Sequence, residues 1–282
     1  MAYYDGHGSS LLDRDKPVTA VDYRAQTSLI SGASSGIGLA FAHALAERGS
    51  NLVLVARRLD RLERLAEELT AAHGIEATAI AADLSVPGAG PALADEVARR
   101  GLRVTSLVNN AGFGTYGAFH SEDPERLQEM LAVNISSVVD VSRAFIDELR
   151  AAGTGVLVNV ASLAAHQPIP NMAVYAASKA FVLSFTEGLW QESLGSGLRV
   201  LALSPGLTRT EFFDAISSPE ASSGGSFQTP QQVVATALRA LDRRTPPPSV
   251  ISGTRNRLMA NAGRFLSRRR VVLAVAGRTG SA

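Results

Sequence analysis

A short apolar run, a turn, then an amphipathic stretch: this unit recurs along the chain and restricts what it can fold into. The runs at 27–31, 52–55, 77–82, 104–108, 156–160 and 198–203 have the length of buried strands. Helical patterns lie between them, among them 37–48, 92–100 and the long stretch 125–150. Strands alternating with helices predict a parallel sheet covered by helices, the α/β class. In such a sheet ligands bind at the carboxyl edge of the strands. The 282 residues fit one large α/β domain or two small ones, and 46% hydrophobic residues suffice for a sizeable core.

The first strand-to-helix turn reads Gly32-Ala33-Ser34-Ser35-Gly36-Ile37-Gly38. Glycines there let backbone amides approach a phosphate at the helix N-terminus. Dinucleotide binding is therefore one reading of this turn. The same residues also spell G-x-S-x-G, the nucleophile elbow of a serine hydrolase, with Ser34 as nucleophile. That elbow needs earlier strands to supply an oxyanion loop, and only a polar stretch precedes this one. In the nucleotide reading, Ser34 and Ser35 line the phosphate turn.

Further turns add to the nucleotide reading. A dinucleotide fold selects NAD with an acidic residue near the end of its second strand. Here that place reads Ala56-Arg57-Arg58, with two guanidiniums suited to a 2′-phosphate. The expected cofactor is NADP(H). Asp83 and Leu84 follow the third strand, where the acid caps the next segment or bonds an adenine amine. The fourth ends in Asn109-Asn110-Ala111-Gly112, whose small pair lets backbone approach a cofactor closely. Asn134 interrupts an apolar helical stretch, either by capping a kink or by holding a water near Lys179.

The apolar run 156–160 leads to Ser162, a Pro-containing loop, and then a helical pattern carrying Tyr175 and Lys179. A spacing of four puts phenol and amine on one helix face. Lys16 and Lys179 are the only two lysines among 27 Lys and Arg residues. An amine so placed, in a chain that otherwise uses Arg, is either a surface residue beside a core Tyr or a chemical device.

Together these segments resemble the short-chain dehydrogenase/reductase family. The resemblance rests on the glycine turn, Asn109-Asn110-Ala111-Gly112, Asn134, Ser162, Tyr175-x3-Lys179 and Pro205-Gly206. Ser31 stands where the family usually has Thr. The resemblance implies a single Rossmann-type domain: a doubly wound parallel sheet of about seven strands in three αβα layers. It implies Tyr175 as acid/base, Ser162 as hydrogen-bond donor to the substrate, Lys179 on the nicotinamide ribose and Asn134 in a water relay. It also implies cofactor contacts from Leu207, Thr208 and Thr210. Lys179 and the nicotinamide charge are expected to lower the Tyr175 pKa. A homodimer or homotetramer paired through long helices is the implied assembly. Phe113, Leu163, Ile169, Phe212 and Phe213 suggest an apolar carbonyl or alcohol substrate, with 211–228 as a lid or an ordinary loop.

Residues 1–25 read as a flexible lead-in, 26–252 as the catalytic domain, and 253–282 as a basic amphipathic tail. The tail has three candidate partners: an anionic membrane surface, a second subunit or the substrate site. Net charge +1 argues against a nucleic-acid partner, and the absence of cysteine favours a cytoplasmic address. The five histidines lack ligand spacing, so no metal is expected. A non-catalytic, NADP-binding regulatory or scaffold protein is the alternative from another functional class.

Overall fold

The computed structural model describes residues 21–212, 227–262 and 267–277. Its centre is one seven-stranded parallel sheet: β1 (Thr27–Ser31), β2 (Asn51–Ala56), β3 (Ala77–Ala81), β4 (Ser106–Asn109), β5 (Val156–Val160), β6 (Arg199–Ser204) and β7 (Ser249–Ile251). The order is β3-β2-β1-β4-β5-β6-β7, so winding reverses between β1 and β4 and opens a crevice there. The sheet is the Rossmann-type doubly wound one expected, its inner strands buried on both faces and its edge strands β3 and β7 only partly so.

The helices are α1 (Gly36–Glu47), α2 (Leu59–His73), α3 (Ala89–Arg99), α4 (Pro124–Leu131), α5 (Ser137–Ala152), α6 (Ala173–Glu192) and α7 (Pro230–Leu241), followed by α8 (Thr254–Ala262) and α9 (Arg268–Ala276). One buried layer joins α1, α2 and α7 to the sheet through Phe41, Leu45, Leu62 and Leu238. The opposite layer joins α3 and α5 through Leu93, Val97, Phe145 and Leu149. Sheet and helices are also tied by polar side chains. Asn109 donates to Ser142 Oγ and to Asn159 Oδ1, each at 2.9 Å, and Asn159 donates to Thr186 Oγ1 at 2.9 Å.

The short edge strand β7, which follows three consecutive prolines, has no counterpart among the apolar runs read from sequence. Residues 21–25 are folded: Tyr23 is buried, with Arg48 over its ring at 5.0 Å. At the other end, α8 packs on β7. Among the described residues, no helix is long and apolar enough to cross a membrane.

Candidate active site

The floor of the crevice is where β1 and β4 end. The Ser31 hydroxyl accepts from the backbone N–H of Asn110 and of Ala111, each at 3.0 Å. Asn110 Nδ2 donates back to the Ser31 carbonyl at 3.0 Å. The hydroxyl and the backbone carbonyl make these bonds without a methyl group, so Ser serves where the related family usually has Thr. Gly32 follows at φ +66°, and a Cβ there would lie 2.8 Å from Asn110 Nδ2. Only glycine suits that backbone and that approach.

Above this floor lies a cleft of about 510 Å³, in the range of ligand sites. Gly32, Ser34, Ser35, Gly36, Ile37, Arg57, Arg58, Asp83, Leu84, Asn110, Ala111 and Gly112 line one end. Ser162, Leu163, Ile169, Tyr175, Lys179, Phe113 and Phe212 line the other, with Pro205, Gly206, Leu207, Thr208 and Thr210 alongside. Gly38 sits behind the turn, against Gly32. Phe213, and most of the segment read as a lid, lie outside the described residues. Val133, Gln167 and Met172 also line the cleft. Met172 lies just before α6, within one turn of Tyr175, a placement that could have flagged it.

Ser162 caps the short 3₁₀ turn Leu163–His166, and its Oγ accepts from the Ala164 N–H at 3.1 Å. With a lone pair so engaged, its proton is free to point into the cleft. That hydroxyl and the Tyr175 phenol line the same cleft, and the Ser162 hydroxyl favours the ionised form of the phenol. Lys179 is buried, and its Nζ donates to the Val160 carbonyl at 3.0 Å. A Cβ on Gly112 would lie 3.2 Å from that Nζ, so backbone without a side chain forms the adjoining wall. Serine, phenol and amine thus meet in one cleft.

The expected lowering of the Tyr175 pKa is not what the protein alone produces. Desolvation pushes the phenol up to about 12, and the Ser162 hydroxyl offsets this only in part. Lys179 Nζ lies 6.0 Å from the ring centroid and directs one of its N–H groups to a backbone carbonyl. Burial in turn pulls the amine down to about 8.

Asn134 sits, fully buried, in a π-helical turn, Ala132–Ser136, between α4 and α5. Its Nδ2 donates to the Phe113 carbonyl at 2.9 Å and to Ser178 Oγ at 3.1 Å, and its Oδ1 accepts from the Phe113 N–H at 3.1 Å. The side chain therefore fastens the Phe113 loop to α6, one residue from Lys179. Asp83 lines the cleft, and its carboxylate accepts from the hydroxyl and N–H of Ser85 at 2.7 and 2.9 Å, which holds its pKa down.

The hydrolase reading fails at Ser34. An elbow nucleophile sits on a strained turn, yet Asn171 is the one non-glycine with positive φ among the described residues. The hydrogen-bonding neighbour of Ser34 Oγ is Arg58 Nη2, at 3.3 Å, not an imidazole.

The sequence model of the short chain dehydrogenase family matches residues 26–221. Sulfoacetaldehyde reductase of Chromohalobacter salexigens is 41% identical over 187 residues, 65% of this chain and 72% of that protein. A short-chain dehydrogenase from Sphingobium yanoikuyae, solved in complex with NADPH, superposes with a TM-score of 0.75 at 34% identity, covering 85% of this chain and 93% of that one. The bulky-bulky ketone specific alcohol dehydrogenase of Comamonas testosteroni does so with 0.71 at 30% identity, covering 86% and 92%.

Proposed function

Because this chain belongs to the short-chain dehydrogenase family of oxidoreductases, we propose that it binds NADP(H) and interconverts a carbonyl compound and its alcohol. The observation that carries this reading is the convergence of Ser162, Tyr175 and Lys179 in a cleft whose far end carries the glycine turn and Arg57-Arg58. The donor set fits a phosphorylated dinucleotide. Backbone amides of the Gly32–Gly38 turn suit the pyrophosphate, the basic stretch at the start of α2 suits the 2′-phosphate, and Lys179 suits the nicotinamide ribose. NADPH in the S. yanoikuyae structure supports the same choice.

When bound, the reduced nicotinamide supplies a hydride to the carbonyl carbon. The Ser162 O–H donates a hydrogen bond to the substrate oxygen as negative charge builds on it. The Tyr175 hydroxyl gives that oxygen its proton. A phenol held near 12 keeps its proton at neutral pH, the form an acid in the reductive direction needs. Lys179, still largely protonated below pH 8, keeps a positive charge beside the reacting groups. Asn134 fixes the Phe113 loop and, in this reading, borders the water path that refills the phenol.

Phe113, Leu163, Ile169, Met172 and Phe212 make the substrate end apolar. We therefore assign a ketone or secondary alcohol with apolar substituents, of 3-oxoacyl or steroid-like type. A homodimer or homotetramer, and contact of the basic C-terminal stretch with an anionic membrane, belong to the same proposal. Sedimentation in solution and co-sedimentation with anionic liposomes test them.

The central test is NADPH oxidation measured with a panel of ketones, aldehydes and β-ketoacyl thioesters. Tyr175→Phe is expected to lower turnover by roughly 10²- to 10⁴-fold, the usual share of general acid catalysis, while NADPH still binds. Turnover near that of the parent would remove Tyr175 from the reaction.

A further inference from the structure

Arg57 and Arg58 are adjacent in sequence but diverge. Arg57 Nη1 turns toward Glu129 Oε1 on α4, at 3.6 Å. Arg58 Nη2 turns the other way, to Ser34 Oγ at 3.3 Å and Glu211 Oε2 at 3.0 Å. Arg61, one turn along α2 from Arg58, reaches the same carboxylate, with Nη1 at 2.8 Å from Oε1. One carboxylate is therefore gripped by two guanidiniums, one on each oxygen, beside the phosphate turn. Glu211 lines the cleft directly after Thr210. The Arg61 and Arg58 hydrogen bonds hold its pKa down, so it is an anion throughout the neutral range.

Two forked donors converging on one oxyanion are what a phosphate monoester asks for, and it brings more charge and one more oxygen than a carboxylate. We propose that Arg58 and Arg61 together form the seat of the cofactor's 2′-phosphate, bordered by Ser34, and that Glu211 is an internal anion which the phosphate displaces. This rests on the reading that the cleft takes NADP(H). It adds Arg61 as a residue that sets cofactor choice. It makes Glu211 a competitor that acts against a phosphorylated ribose and leaves a bare one alone. All three side chains are at least 40% exposed, so the competition is modest and weakens with salt.

Titration calorimetry of the full chain with 2′,5′-ADP and with 5′-AMP tests this. Glu211→Gln is expected to tighten 2′,5′-ADP roughly twofold to fivefold, the range of an exposed ion pair. Arg61→Ala is expected to weaken it by at least about as much. In both variants 5′-AMP affinity should stay within about twofold of the parent, because no 2′-phosphate is present. In the double variant the gain from removing Glu211 should shrink, since one of its two partners is gone. If Glu211→Gln leaves 2′,5′-ADP unchanged or weakens it, or Arg61→Ala leaves it unchanged, the inference is overturned while a parent preference for 2′,5′-ADP keeps the NADP(H) reading. If the parent binds both probes equally, the NADP(H) reading itself fails.

Discussion

Burial and the Val160 carbonyl act on the Lys179 ammonium in opposite directions. Desolvation wins, and the amine titrates at about 8 instead of its ordinary 10.5. Below pH 8 both the folded and the unfolded chain hold the proton, and the folded state bears the full cost of burying it. Between 8 and 10.5 the unfolded chain binds the extra proton, so stability rises with pH. Tyr175 works the other way only above its ordinary 10.0, toward about 12. The interval from 8 to 10 therefore reports on Lys179. Between about pH 7.5 and about pH 9.5 the parent should gain roughly 2 kcal/mol relative to Lys179→Met. Urea unfolding of both proteins at the two pH values checks this, and a constant difference would mean the amine is not depressed. The scarcity and spacing of Lys179 were visible in sequence. Its tether to Val160 was not, because that contact joins a helix to a strand nineteen residues earlier.

At the scale of elements, patterns carried by a single segment were legible. Asp123-Pro124 marks the start of α4, and Asp123 does cap it, accepting from the Glu125 N–H at 3.0 Å. The runs at 27–31 and 156–160 are β1 and β5 without a shift. Asn134 flagged a disturbance in its helix, but a π-helical turn needs no special residue, and its form became clear only in three dimensions. β7 was missed because three residues are too few for a periodic signal. The polar ladder through β4, β5 and α6 was equally silent, since Asn159 and Thr186 read as isolated polar residues and nothing in sequence joins them to Asn109. Asn159 is its middle rung and is fully buried. Asn159→Val should leave Asn109 Nδ2 short of an acceptor and Thr186 Oγ1 short of a donor. A loss of about 1–3 kcal/mol in denaturant unfolding is expected. A smaller loss would mean that these groups find other partners.

For the whole molecule, the parallel α/β sheet with its ligand edge was carried plainly by the alternation of strands and helices, the doubly wound arrangement came with the family resemblance, and the strand order emerges only in three dimensions. Pairings made by tertiary proximity were beyond the sequence: Arg58 and Arg61 on Glu211 join residues about 150 positions apart. Substrate choice also belongs to this scale, because the apolar end draws Phe113, Met172 and Phe212 from separate segments of the chain. Phe212 stacks at a tilt on Tyr175, with ring centroids 5.4 Å apart. Phe212→Ala should lower kcat/KM for bulky apolar ketones about tenfold, in line with losing a large buried contact in a pocket, and small charged aldehydes should be affected less. Steady-state kinetics with both classes decides it, and activity confined to small anions would reject the apolar assignment. The bonds that sew β1 to β4 through Ser31 and Asn110 have one more consequence. A nucleotide cannot come or go by prising the two halves of the sheet apart, since that would strip three hydrogen bonds at once. Traffic must pass over the lip of the crevice, where water already reaches the side chains and rearrangement is cheap.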